Sequence, residues 1–268
     1  MRINEIRIES WIDLLSVFES LTIHKDRHIW YLRGQANCEW SPTPSLCRHF
    51  KDSPISKNKA YGIEMSALRT FQSQAHLHVR NDILSTISSI PSWWMLMQHY
   101  SCPTRLLDWT SSPFVATYFA VEQEIDVDGA IWFFAGPILD TLMTKKYGKM
   151  RDFLDKIIES EHAVPAVYPI EGTFHTERSA AQQALFTICC DAQGDHGEII
   201  ADTLALSYKG DGNLLYQFTK LIIPAELKYE FLSRLYTMNI TAKTLFQGAD
   251  GIGRSVAEII RLRIWSGN

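Results

Sequence analysis

"MQHYSCPTRLLDWTSSPFVATYFA", residues Met97 to Ala120, holds a polar half and an apolar half side by side. Its left part reads as the end of a helix at Gln98, His99 and Tyr100, followed by a loop through Arg105, Asp108 and Trp109 to Thr110 and Ser111. Its right part starts a new helix. Ser112 can cap free backbone amides, and Pro113 fits a first turn whose N–H would be unpaired anyway. Phe114, Val115, Tyr118, Phe119 and Val121 then fall on one apolar helical face. The apolar half would anchor the unit in a core. The polar half, Gln98 to Ser112, would face a ligand, since donors gathered before a helix N-terminus suit an anionic or sugar-bearing molecule. Bland readings stand beside this one. His99 can rest on a helix C-terminus, Arg105 and Asp108 can form a loop ion pair, and Asp108 and Thr110 can make local turn bonds.

Working outward, Trp11, Leu14, Leu15, Phe18 and Leu21 recur at helical spacing, so a helix is expected over about 9–21 with Ser10 as its cap. "HIWYLRGQ" (28–35) alternates as a strand, with Trp30 and Leu32 on one face and Tyr31 and Arg33 on the other. Gly34 lets the backbone turn there or be approached closely. Arg33 is either a surface or salt-bridged arginine or a guanidinium placed beside a phosphate or ribose. "SPTPSLCR" (41–48) reads as an extended loop, Gly62 to Val79 as a helix, and "SWWMLMQHY" as another behind Pro91. "GAIWFFAG" (129–136), "QALFTICC" (183–190) and "LLYQFTKLIIP" (214–224) are strand candidates. Helices are expected over 137–160, from Pro224 to about Met238, and at the C-terminus behind a Gly-rich turn. Asp191–Gly197 and Lys209–Asn213 read as turns or surface loops rather than linkers. The sum is an α+β chain, read as a single domain over 1–268.

Composition excludes several classes. The chain has 268 residues, 46% hydrophobic and 21% charged, with a formal charge of −4. That length can bury a core without disulfides or metals. A strongly basic footprint for nucleic acid or membrane surfaces is missing. Five cysteines, none in a C-x-x-C pair, argue against a zinc ribbon or disulfide framework, and no disulfide-linked partner is expected. No apolar run approaches the ~20 residues of a membrane span, and the start carries no signal-peptide pattern. A reducing, cytoplasmic setting is expected, with no membrane partner. Phosphate-loop, dinucleotide, H-E-x-x-H and G-x-S-x-G motifs do not occur, and no metal site is expected.

"YLRGQ", "W-x-P-T-P-S-L-x-R", "MQHYSCPTRLLDWTSSPFVATYFA", "RSAAQQALFTI" and "KLIIP…ITAKTLFQGADG" follow one another from about Trp30 to Gly251. In that order they resemble the FRG domain family. The sequence departs from the family pattern at Cys102 and Ala184, where glycine is common, and over Phe246–Gly251.

A second resemblance is to ADP-ribosyltransferases of the arginine–serine–glutamate type. Tyr31-Leu32-Arg33-Gly34 is similar to their first motif. Thr110-Ser111-Ser112 with Val115-Ala116 and Phe119-Ala120 is similar to their second. The third should supply a glutamate; Gln182 or Gln183 stands there, and the nearest acid is Glu177. The resemblance implies a split, mixed or antiparallel sheet surrounded by helices, with NAD as substrate. It implies Arg33, His99 and Gln182 as catalytic positions. Tyr31, Arg33, Gly34, Gln98, Tyr100, Arg105, Asp108, Trp109, Thr110, Ser111 and Ser112 would hold NAD, with Tyr100 or Trp109 stacking on nicotinamide. It further implies a toxin or anti-phage effector that modifies protein or RNA, held by an inhibitory antitoxin or regulatory partner. A non-catalytic nucleotide sensor or adaptor, and an NAD hydrolase or nuclease, stay open as alternatives.

Overall fold

The computed structural model describes residues 3–22, 30–51, 55–154, 156–171, 176–210 and 212–265. The expected strand start at His28, and Asp211 within the expected 209–213 turn, lie outside them. In chain order the elements are β1 (Asn4–Arg7), α1 (Trp11–Thr22), β2 (Trp30–Gln35), α2 (Ser45–Lys51), α3 (Lys57–His78), α4 (Asn81–Leu84) and α5 (Ile90–His99). Then come β3 (Leu106–Thr110), α6 (Pro113–Val121), β4 (Gly129–Ala135), α7 (Gly136–Tyr147), α8 (Arg151–Leu154), β5 (Val167–Glu171), α9 (Glu177–Ala181) and β6 (Ala184–Cys189). The C-terminal part holds α10 (His196–Ala205), β7 (Thr219–Ile223), α11 (Ala225–Thr237), α12 (Ala242–Leu245) and α13 (Gly248–Trp265).

The strands form one seven-stranded sheet in the order β1-β7-β4-β2-β3-β6-β5. β1 runs parallel to β7 and the other neighbours are antiparallel, so the fold is α+β with a mixed sheet. One face packs on α3, α5, α7 and α10 through Leu68, Trp94, Leu139 and Ile200. The other packs on α1, α6, α11 and α12 through Trp11, Val115, Phe231 and Leu245. The alternation along β2 assigns its residues to these faces, with Tyr31 on the first and Trp30 and Leu32 on the second.

The seam between β2 and β3 departs from a continuous ladder. β2 pairs with β4 at every position from Trp30 to Gln35, but with β3 only at Leu32↔Thr110. From Arg33 onward its second edge has no strand partner among the described residues. α6 lies directly on the sheet beside this seam. A Cβ on Gly34 would stand 1.9 Å from the Ala116 carbonyl oxygen, and one on Gly129 would stand 2.2 Å from that of Ala120. Only glycine permits that approach, so Gly34 serves close packing. Ser112 caps α6, accepting from Val115 N at 3.3 Å, a device that stabilises a helix by ~1 kcal/mol.

Local differences from the sequence reading have local causes. Leu106–Thr110 is a strand, not a loop, pairing with β6 from Leu106↔Ile188 to Thr110↔Ala184. Ser45–Lys51 is helical, so only the first half of 41–48 is extended. Residues 137–160 break into α7, α8 and a 3-10 turn, parted at Gly148, whose φ of 103° no L-residue favours. Leu214–Tyr216 is a 3-10 turn, and the strand begins only at Thr219.

Candidate functional site

Arg33 occupies the seam. Its Nη1 donates to the Asp108 carbonyl oxygen at 2.7 Å, taking the place of a ladder bond. Its Nε is buried and has no partner. Burial pushes the Arg33 pKa down; Asp108 opposes this, and the Arg48 charge lowers it further. In front of the arginine opens a cleft of about 770 Å³, within the ~300–1,000 Å³ range of ligand sites. The open edge of β2 (Arg33, Gly34, Gln35), Trp40, Arg48 on α2 and Glu122 at the end of α6 line it.

The cleft floor is held by Lys228 of α11. Its ammonium is fully buried and donates to the carbonyls of Ala36 (2.6 Å), Glu124 (2.8 Å) and Gln123 (3.1 Å). Three donors meet three acceptors, as an ammonium requires. Burial still lowers its pKa to about 8. One side chain thus ties the end of β2 to the end of α6.

On the other side of Asp108 lies a smaller cavity of about 80 Å³. Gln98, His99, Asp108, Arg178 and Gln182 line it. Burial and the Arg178 charge lower the His99 pKa, which favours neutral imidazole. Burial likewise lowers Arg178, and Asp108 offsets part of that. Arg178 also stacks on Phe246, with its guanidinium carbon 4.9 Å from the ring centre. A neutral imidazole, a carboxylate and a guanidinium in one cavity can move a proton beside an anion.

The structure therefore divides the sequence candidates. Arg33 and Gly34 face the large cleft; Gln98, His99, Asp108 and Gln182 face the small cavity; the Arg33–Asp108 bond joins the two. Other candidates face elsewhere. Arg105 is 1% exposed and is locked to Glu64 of α3 through two hydrogen bonds, Nε to Oε1 at 2.8 Å and Nη2 to Oε2. Its guanidinium also lies between the Tyr61 and Trp94 rings. It is a core ion pair, not a ligand group or a partner of Asp108. Trp109 is buried and donates Nε1–H to Thr187 Oγ1 at 2.8 Å, so its ring cannot meet nicotinamide. Thr187 in turn contacts His196 Nδ1 at 2.8 Å, and burial holds that imidazole down to about 3. Tyr31 is buried against Phe134. Tyr100 lies over Phe71 in an apolar groove along α3, apart from both cavities.

The hydroxyl run is spent locally. Thr110 Oγ1 donates to the Gln182 carbonyl at 2.7 Å, Ser111 Oγ meets Gln183 Oε1 at 3.3 Å, and Ser112 caps α6. Gln182 donates Nε2–H to the Leu245 carbonyl at 3.0 Å, which makes it a brace between α9 and α12. Glu177 is exposed on the first turn of α9 and lines neither cavity.

Sequence reasoning missed Gln35, Trp40, Arg48, Glu122 and Arg178. Trp40 and Arg48 stand at the two ends of "W-x-P-T-P-S-L-x-R", and Arg178 opens "RSAAQQ", so the signal lay in motifs already noted. Among the described residues no group of three or more His, Cys, Asp or Glu is placed to hold a metal ion. No helix among them is long and apolar enough to cross a membrane.

The described residues form an α+β fold whose parted sheet opens on a cleft lined by Arg33 and Arg48. Residues 27–129 match the model of the FRG domain. That segment runs from just before β2 to the first residue of β4 and carries every residue lining the large cleft. No curated protein and no solved structure matches the chain.

Proposed function

We propose that the chain is an NAD-dependent ADP-ribosyltransferase-like effector that modifies a protein or RNA, in a toxin–antitoxin or anti-phage setting. The observation that carries this reading is Arg33, set in the seam of a parted sheet with its Nε unpartnered, on the wall of a nucleotide-sized cleft. In the reaction an acceptor nucleophile bonds to C1′ of the nicotinamide ribose. The C1′–N bond breaks, its electron pair leaves with nicotinamide, and the acceptor proton passes to a base. Arg33 would hold the phosphate side of NAD, where a planar guanidinium grips best. His99, kept neutral, lines the small cavity and is the base proposed for that proton.

One observation favours the sensor or adaptor alternative. Gln182, at the position of the expected glutamate, carries an amide committed to Leu245. The carboxylate that would stabilise developing positive charge is missing from that place.

Biotinylated NAD added to lysate with the purified chain separates the readings. A transferase tags a macromolecule, and the R33A variant tags none. NAD binding without tagged product or nicotinamide release establishes the sensor and ends the transferase reading.

A further inference from the structure

Two guanidiniums line the cleft, and neither forms an ion pair among the described residues. Arg33 is anchored by the Asp108 carbonyl, and Arg48 by the Thr43 carbonyl at 2.5 Å. Each bond uses one donor of five. A main-chain carbonyl orients a guanidinium without neutralising it. Arg33 and Arg48 feel each other's charge, which adds to the cost of burying Arg33. The other charged groups of the cleft are already engaged. Lys51 pairs with Asp195 at 3.5 Å. Glu122 accepts from Gln123 at 3.2 Å and lies in the field of Arg261 and Arg254. Glu39 accepts from Cys38 Sγ at 3.5 Å.

Two unpartnered polar atoms stand in the same wall. Arg33 Nε is a buried donor, and Gln35 Oε1 is a buried acceptor on a side chain only 7% exposed. Gln35 Nε2 is held by the Ser41 carbonyl at 3.3 Å, which fixes the amide. Trp40 is 48% exposed and also lines the cleft. A ligand that completes this wall carries paired anionic acceptors, a hydroxyl donor and a flat ring. Inorganic phosphate meets only the first demand.

We infer that Arg33 and Arg48 form a two-guanidinium clamp for the diphosphate of a nucleotide, with Gln35 accepting from a sugar hydroxyl and Trp40 stacking on the base. This deepens the reading above, on which it rests for the nucleotide class of ligand. It also gives the terminal arginine of "W-x-P-T-P-S-L-x-R" a task. Bidentate guanidinium–phosphate bonds supply the affinity, and base stacking on an exposed aromatic ring adds to it.

Calorimetry of the full chain with ADP, AMP, adenosine and inorganic phosphate tests the clamp. ADP should bind at least tenfold more tightly than AMP, and adenosine and phosphate more weakly still. R48A should weaken ADP binding at least tenfold with the melting temperature little changed, since Arg48 is exposed. R48A therefore decides the matter even where R33A fails to fold. K145A, which removes an exposed charge on α7, should leave ADP binding unchanged, separating a clamp from general attraction. Equal affinity for ADP and AMP, or undiminished ADP binding by R48A, overturns the clamp. ADP binding lost in R48A, in a chain that never releases nicotinamide, keeps the clamp and removes the transferase. Label transfer with the same KM for NAD in R48A keeps the transferase and removes the clamp.

Discussion

The large cleft and the small cavity meet at one hydrogen bond, yet one wall carries unbalanced positive charge and the other is balanced. In the large cleft Arg33 and Arg48 are held by carbonyl oxygens and keep their charge unspent. In the small cavity Arg178 shares its space with the Asp108 carboxylate and leans on an aromatic ring. An unbalanced wall gains free energy when an anion arrives. A balanced one gains little, because each new contact must replace an existing one. On the proposed reading the cleft is the side that recognises the anion, and the small cavity is suited to proton handling and to bracing. The cleft lies wholly within the FRG-matched segment, whereas the small cavity borrows Arg178 and Gln182 from beyond it.

The largest effect is expected at the floor of the cleft. K228M leaves the carbonyls of Ala36, Gln123 and Glu124 without their shared donor. It should cost about 3 kcal/mol, read as a lower midpoint in urea unfolding. A loss of stability under ~0.5 kcal/mol would show that the cleft walls are held by something else. Q182E probes the small cavity next. It replaces an amide donor facing the Leu245 carbonyl with a carboxylate, and oxygen would then face oxygen. A destabilisation of about 1–3 kcal/mol is expected, with no gain in nicotinamide release. A gain would mean that Gln182 stands in for a catalytic glutamate after all. The smallest effect is expected of R178A, whose ADP affinity should stay within threefold of wild type in titration. A loss equal to that of R48A would merge the two cavities into one site.

Much of the frame was legible because its signals are local. The Ser112-Pro113 start of α6, the apolar spacing of α1 from Trp11 to Leu21 and the all-apolar run of β4 each depend on neighbours a few residues away. β3 was passed over although Leu107-Asp108-Trp109-Thr110 alternates, since five residues lying between Pro103 and Arg105 on one side and a hydroxyl run on the other read as loop. Arg105 looks like a loop residue until Glu64, 41 positions earlier, is seen to neutralise it. β1 and β5 are edge strands of four and five residues, and Pro169 within β5 is tolerated only at an edge. In the candidate site, Arg33 was readable from its place on a strand. Which hydroxyls and rings face solvent was not, because burial is decided by the far partners Thr187, Gln182 and Phe134.

The parted seam has one more consequence. A strand edge without a neighbour is a template on which another chain can add its own strand, and here such an edge lies in the middle of a sheet. The Arg33 guanidinium spans the gap to β3, and a charged side chain at that place repels an incoming strand. The arginine thus occupies the open edge as well as facing the cleft. Its loss would expose a sticky seam, and copies of the protein would be the first strands to find it.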